Sequence, residues 1–316
     1  EESFAFEVSY VAPVSRHQGS KRSLSMTVKE LVQRITDVEP YEPYWPHIRQ
    51  IDLKKKKIQS LHMLSKFCGQ LEELDVSDNE ISQLDGTPET IRNLRITHNS
   101  LSDLTSWQHL RNLQYLDISN NDLTTLEGLK DLVHLRAVRA DNNKIESVNG
   151  IFGLDGLISL RLRNNVVHAA DFSGCNLPRL MDLDLKGNKL QAISGLEDLR
   201  SLATLHLEDN CLETFNEGSN HTYHGLKYLK LSGNNLQQID VSHYPNIRLL
   251  YLDRNRLGKV TGLLKAKHID SLSMREQRDS VIDMSFLDQC FEVRKLFLSG
   301  NLLPNFAPRV DFLNLQ

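Results

Sequence analysis

Cysteine is scarce in this chain and never clustered: Cys68, Cys175, Cys211 and Cys290 are the four among 316 residues, and none stands in a Cys-x-x-Cys pair. Such spacing offers neither a zinc knuckle nor a disulfide-stapled cap, so the four read as reduced thiols of a cytosolic or nuclear protein. No apolar run reaches the roughly 18 residues that a membrane span needs. An excess of one charge is missing too. The net charge is −4, from 37 basic and 41 acidic residues, which argues against the basic field of nonspecific nucleic-acid binding. Motifs for chemistry are also absent. There is no His-Glu-x-x-His, no Gly-x-x-x-x-Gly-Lys-Ser/Thr and no Gly-x-Ser-x-Gly, and the 12 histidines are scattered. The chain therefore reads as a non-catalytic protein without cofactor or metal. Asn220-His221-Thr222 fits a glycosylation triplet, but such triplets are common by chance.

What the chain has in abundance is one spaced set of leucines. Leu113, Leu116, Ile118, Asn121, Leu123 and Leu126 are echoed by Leu135, Val138, Ala140, Asn143, Ile145 and Val148, and again by Leu180, Leu183, Leu185, Asn188, Leu190 and Ile193. Copies begin at Ile48, Leu71, Ile91, Leu113, Leu135, Leu157, Leu180, Leu202, Leu226, Ile247, Ile269 and Val293, at a spacing of 20 to 24 residues. This is the leucine-rich-repeat pattern L-x-x-L-x-L-x-x-N-x-L. Alternation within L-x-L marks a short strand with one buried face. One repeat cannot bury its own apolar face, but a stack can. The prediction is an α/β solenoid of about twelve repeats, a horseshoe with a parallel concave sheet. Short 3₁₀ or irregular segments return along the convex side, where apolar residues recur every three.

Asn follows the strand in ten of the twelve copies, and its amide can both donate to and accept from turn backbone, predicting a stacked ladder. Gly86, Gly128, Gly150, Gly195 and Gly262 recur in the convex turns, where glycine supplies unusual backbone angles. The first copy carries Lys56 in the Asn position, within the run Lys54 to Lys57, which reads as a solvated end repeat. Residues 1–47 form a separate N-terminal part and 48–316 the solenoid. In the former, Phe4, Phe6, Val8 and Tyr10 alternate as an extended segment, and Ser15 to Ser25 reads as disordered. Thr27-Val28-Lys29-Glu30 reads as a capping box opening a helix of about ten residues that stops before Pro40. That helix, with Pro43, Trp45 and Pro46, is the expected cover for the open end of the sheet. The start at Glu1 and the end at Leu315-Gln316, where a thirteenth repeat would begin, suggest a fragment of a longer protein.

Function should reside in the outward strand residues. The early repeats offer Asp52, Glu73 and Asp75. The middle ones offer Arg95, Arg139, Arg161 and Arg163, with Tyr115 and Asp117 among them, partly offset by Asp141 and Asp184. Stacked arginines suit an acidic or phosphorylated peptide. The late repeats offer Tyr228, Lys230, Leu249, Tyr251, Arg254, Arg275 and Phe297. Outward aromatics are an apolar cost unless a partner covers them, and Tyr with Arg is the usual hot-spot mixture. His98 and His206 also face this side, with no second metal ligand at a recognisable spacing.

The eleventh copy departs from the pattern: Gln277 replaces Asn and Asp279 stands at an apolar position. Its segment Leu272-Ser273-Met274-Arg275-Glu276-Gln277 resembles the late repeat of fungal spindle-pole-body scaffolds of the septation-initiation or mitotic-exit network. Ser25 to Leu31, Leu113 to Ser119 and the ending Phe312-Leu313-Asn314-Leu315-Gln316 add to the likeness. Animal centriolin looks like a distant relative. The resemblance implies a cytoplasmic scaffold at the spindle pole body. Its implied partners are a small GTPase with its two-part GTPase-activating complex, and a kinase with a Mob-type coactivator. No nucleic acid and no membrane is implied. The competing reading is a regulatory subunit of a protein phosphatase, or another leucine-rich-repeat adaptor.

Overall fold

The structure, a computed structural model, describes residues 18–40 and 45–302. The alternating segment Phe4 to Tyr10, residues 15–17, Pro43 and the ending from Phe312 lie outside the described residues. Twelve three-residue strands, from Gln50–Asp52 to Lys295–Phe297, form one parallel sheet in which each pairs with the strand of the next repeat. The middle residue of each strand points into the stack; Leu74, Leu116, Leu183 and Leu250 are all buried. The apolar residues form one continuous core from Leu31 to Val293. At roughly 1.5–3 kcal/mol for each fully buried Leu or Ile, this core is the main source of stability.

At the N-terminal end a helix spans Gln18–Val38, 21 residues rather than about ten. Ser20 to Ser25, expected to be disordered, are helical, and Thr27 lies inside the helix, so the capping box does not start it. The cause is composition: no Gly or Pro stands between Ser20 and Glu39, and Lys21, Arg22, Leu24 and Met26 are good helix formers. Leu31 and Ile35 are buried in the solenoid core beside Trp45. The Trp45 indole N–H donates to the Glu39 carbonyl at 2.8 Å, and its ring meets Phe67 edge-on at 6.2 Å.

The asparagines tie each repeat to the one before it. Asn143 Nδ2 donates to the Ile118 carbonyl of the preceding repeat at 3.0 Å, and to Ala140 and Asp141 in its own turn. Its Oδ1 accepts the Leu123 N–H of the preceding repeat at 3.1 Å. Asn79 does the same for the first repeat, bonding the Leu53 carbonyl and the Lys56 and Ile58 N–H groups. The ladder points backwards, so an Asn in the first repeat would have no preceding turn to serve, and Lys56 costs nothing there. In the eleventh repeat Gln277 fills the rung: Nε2 donates to the Leu252 carbonyl at 2.9 Å and Oε1 accepts the Leu257 N–H at 3.0 Å. That turn is distorted. Asn301 there receives the Gln277 N–H, and Asp279 is exposed at φ 51°, leaving Ile282 to fill the core.

A second constraint escaped sequence reading. The residue before each rung is left-handed in all twelve repeats, from Lys55 (φ 55°) to Gly300 (φ 75°). Asn, Asp, His and Gly tolerate that conformation; Lys55, Arg254 and Glu276 are held there against preference. On the convex side, 3₁₀ turns occur as expected, for example Glu127–Leu129 and Leu263–Lys265. Two small parallel pairs were not expected: Ala169–Asp171 with Ala192–Ser194, and Gln238–Asp240 with Lys259–Thr261. The convex glycines divide into two kinds. Gly86, Gly195 and Gly262 have positive φ. Gly128 and Gly150 do not: a Cβ on Gly150 would lie 2.3 Å from the Leu126 carbonyl carbon, so close packing, not backbone angle, demands glycine.

The ladder's direction yields an asymmetric prediction. Asn143→Leu should destabilise the fold by about 1–3 kcal/mol by stranding buried backbone groups, whereas Lys56→Asn should leave thermal stability unchanged. Equal melting temperatures for Asn143→Leu and the unsubstituted chain would remove this account of the turns.

Candidate protein-interaction face

The residues flanking each buried strand centre line the concave surface in two registered rows. The second runs Asp52, Asp75, Arg95, Asp117, Arg139, Arg161, Asp184, His206, Lys230, Tyr251, Ser273, Phe297. The expected stack of four arginines is not one. Asp117 separates Arg95 from Arg139, and Arg163 lies beyond its strand in a neighbouring row. Arg161 is bound to Asp141 at 2.6 Å and Arg163 to Asp184 at 2.6 Å, both carboxylates nearly buried. Because a nearly buried carboxylate left alone would be costly, these two arginines serve the fold. Arg95 and Arg139 are exposed and have no ion-pair partner among the described residues.

Those two arginines border a concavity of about 630 Å³, lined also by Asp52, Glu73, Asp75, Asp117 and Tyr115. In the sequence the acids and the arginines fall in separate zones. The curved sheet brings them into one, because neighbouring strands lie only about 4.8 Å apart. Lys54 bridges Asp52 at 3.2 Å and Asp75 at 3.4 Å. Burial works to raise the Asp52 carboxyl, but the backbone N–H and ammonium of Lys54 hold it below its ordinary value. Tyr115 is 49% exposed at the wall.

The late repeats hold the other aromatic group. Tyr228 pairs in register with Leu249, while Tyr251 and Phe297 lie in the second row with Ser273 between them. Tyr228 thus stands in one row, and Tyr251 and Phe297 in the other. The rings of Tyr251 and Phe297 are not bare: both are half-buried. The Lys230 ammonium sits 5.9 Å from the Tyr251 ring centre and the Arg275 guanidinium 4.4 Å from that of Phe297. Such cation–π contacts contribute on the order of 0.5–1 kcal/mol at exposed sites, offsetting part of the apolar cost. Ser273 is buried and donates to Asp253 Oδ1, which also accepts the Arg275 N–H at 2.8 Å. Arg254 reaches Asp209 at 3.0 Å, two repeats back, across Gly233. The concave pair His206 and Glu208 lies 3.5 Å apart. Burial works to raise the Glu208 carboxyl, but His206 holds it below the usual range.

Among the described residues no group of three or more His, Cys, Asp or Glu is placed to hold a metal ion, and no helix is long and apolar enough to cross a membrane. All four cysteines are free. Burial pushes the Cys68 thiol up to about 11 and Cys290 up to about 12, while Cys211 is exposed.

Comparison with known proteins agrees with this geometry. Leucine-rich-repeat family models match residues 70–94, 111–153 and 200–257. The septation initiation network scaffold protein cdc11 of Schizosaccharomyces pombe is 41% identical over 294 residues, covering 93% of this chain and 28% of that protein. The chain thus spans under a third of that relative's length. An internalin of Listeria monocytogenes has a similar structure at TM-score 0.65 and 16% identity, over 91% of this chain and 93% of that one. A leucine-rich-repeat protein of Leptospira interrogans aligns at TM-score 0.66 and 22% identity, over 87% and 79%. Both structural likenesses are likenesses of fold alone.

The thiols give a direct check of burial. In the native protein at neutral pH, a disulfide-exchange reagent should modify Cys211 rapidly and leave Cys68 and Cys290 untouched until denaturant is added, because only an accessible thiolate reacts. Rapid loss of the Cys68 or Cys290 thiol, read by mass spectrometry, would contradict the packing around them.

Proposed function

We propose that this chain, which belongs to the leucine-rich-repeat proteins and is a homologue of the septation initiation network scaffold, is itself a non-catalytic scaffold that anchors a cell-division signalling pathway at the spindle pole body. The observation that carries this reading is the identity to a protein named as a scaffold along 93% of the chain. The physical support is the concave face. It presents Arg95, Arg139 and Tyr115 around its concavity, and Tyr228, Leu249, Tyr251 and Phe297 at its late end. Aromatic and arginine side chains at one surface are what a partner's hot spot uses. The expected partners are a small GTPase with its GTPase-activating complex, and a kinase with a Mob-type coactivator, held through segments laid along the sheet.

Affinity purification from mitotic cells tests the reading. The tagged chain should retain a GTPase-regulating complex. The double substitution Tyr251→Ala with Phe297→Ala should reduce its recovery at least tenfold while hardly moving the melting temperature, since neither ring fills the core. Recovery of a phosphatase catalytic subunit in place of that complex would replace this reading with a phosphatase-regulatory one. Full retention by the double variant would move the contact away from the late repeats.

A further inference from the structure

The residue that precedes each strand forms a row of its own, along the edge where the strands begin. Backbone bonds fix its register: the Met181 N–H donates to the Ile158 carbonyl at 2.8 Å, and the Ala203 N–H to that of Met181 at 2.9 Å. The same bond repeats without a break from Arg92 to Arg248. Over those eight repeats the row holds no acid. Its centre is apolar, Ile158, Met181 and Ala203, with Met181 47% exposed. Cations flank it, Arg92 and Arg136 on one side and Lys227 and Arg248 on the other. All four are exposed, and none has an ion-pair partner among the described residues. Where acids do occur at the ends of the row they are already occupied: Glu72 binds Arg49 at 3.2 Å and Asp270 binds Arg294 at 3.7 Å.

The adjoining strand row continues the arrangement. Tyr115 and Tyr228, the two exposed tyrosines of this face, stand five strands apart. Between them the row carries only Ala137, Ser159, Asp182 and Thr204, so the floor is low and the rings rise as walls at either end. An exposed apolar centre is a cost that the fold does not require, since the core positions of these repeats are filled by Leu157, Leu180 and Leu202. Methionine at its middle adapts to varied apolar shapes.

We propose that this strand-entry edge is a docking strip for an extended protein segment with an apolar centre and acidic residues at both ends. The proposal rests on the scaffold reading above and adds to it the place and chemistry of one partner segment. Seven steps of about 4.8 Å separate Arg92 from Arg248, roughly 34 Å, which an extended chain rising about 3.3 Å per residue covers in about ten residues. Acidic ends complement the four unpaired cations, and Arg favours carboxylates through paired N–H donors. Asp182, the one acid between the two tyrosines of the adjoining row, faces the middle of the segment, where the occupant carries no charge.

A phage-displayed library of random decapeptides, panned on the purified 316-residue chain, tests the proposal. Selected peptides should carry Asp or Glu toward both ends around Leu, Ile, Val or Met. Their affinity should fall at least tenfold for Arg136→Glu with Lys227→Glu, and likewise for Met181→Glu, with melting temperatures confirming that the variants fold. Peptides that bind both variants undiminished would overturn it. If those peptides instead lose binding to Arg95→Glu or Tyr251→Ala, the docking strip is refuted while the concave scaffold reading stands; selection of no peptide likewise refutes the strip, and the scaffold reading is then decided by the purification alone.

Discussion

Everything in this molecule depends on the bond between an asparagine amide and the turn of the repeat behind it. A strand of three residues, followed at once by a turn, leaves polar backbone inside the stack where water does not reach, and each buried unpaired group costs about 1–3 kcal/mol. The Asn of the next repeat answers that cost with two donors and an acceptor. It can do so only if the preceding residue turns left-handed, which every repeat obeys. The constraint is local and identical in each copy, so the chain tolerates almost any outward residue. That freedom is what makes a binding surface.

The outward surface uses its charge in two ways. In the middle of the sheet, Arg161 and Arg163 are spent on Asp141 and Asp184, and Lys186 and Arg254 both turn to Asp209. These pairs hold the concave face together. By contrast, Arg95, Arg139 and the cations Arg92, Arg136, Lys227 and Arg248 have no such partner among the described residues. A surface that neutralises some cations in place and leaves others free offers carboxylates a small number of defined positions. The septation initiation network scaffold is similar along 93% of this chain, which spans 28% of that protein.

The repeat pattern, the parallel sheet and the ladder were legible in the sequence because each rests on contacts fixed by spacing: Leu116 must be inside if Leu113 and Ile118 are. The candidate surface was less legible. Asp141 and Asp184 stand out in the sequence as an offset to the arginines, but that they bind Arg161 and Arg163 one to one is hidden, since the partners stand 20 and 21 residues away and only the register brings them together. Tyr251 looks exposed until Lys230 from the neighbouring strand is placed beside it. The strand-entry row is hidden in the sequence because each of its residues is ordinary alone; its lack of acids is visible only once the register places Arg92, Met181 and Arg248 in one row. The longer N-terminal helix is hidden because the capping-box pattern at Thr27 lies within a stretch that is already helical. Gln277 departs from the pattern, yet with one further methylene its amide still reaches Leu252.

Hydrogen exchange on the turn amides tests the central claim most directly. The N–H groups of Leu101, Leu123, Ile145, Val167, Leu190 and Leu212 lie outside the strands, and each donates to the Asn of the following repeat. They should exchange as slowly as the strand amides, because releasing them requires separating two repeats, whereas the Asp279 N–H in the distorted eleventh turn should exchange fast. Turn amides that exchange at the rate of open loops, in a protein whose strands remain protected, would show that the stack holds without the asparagine ladder.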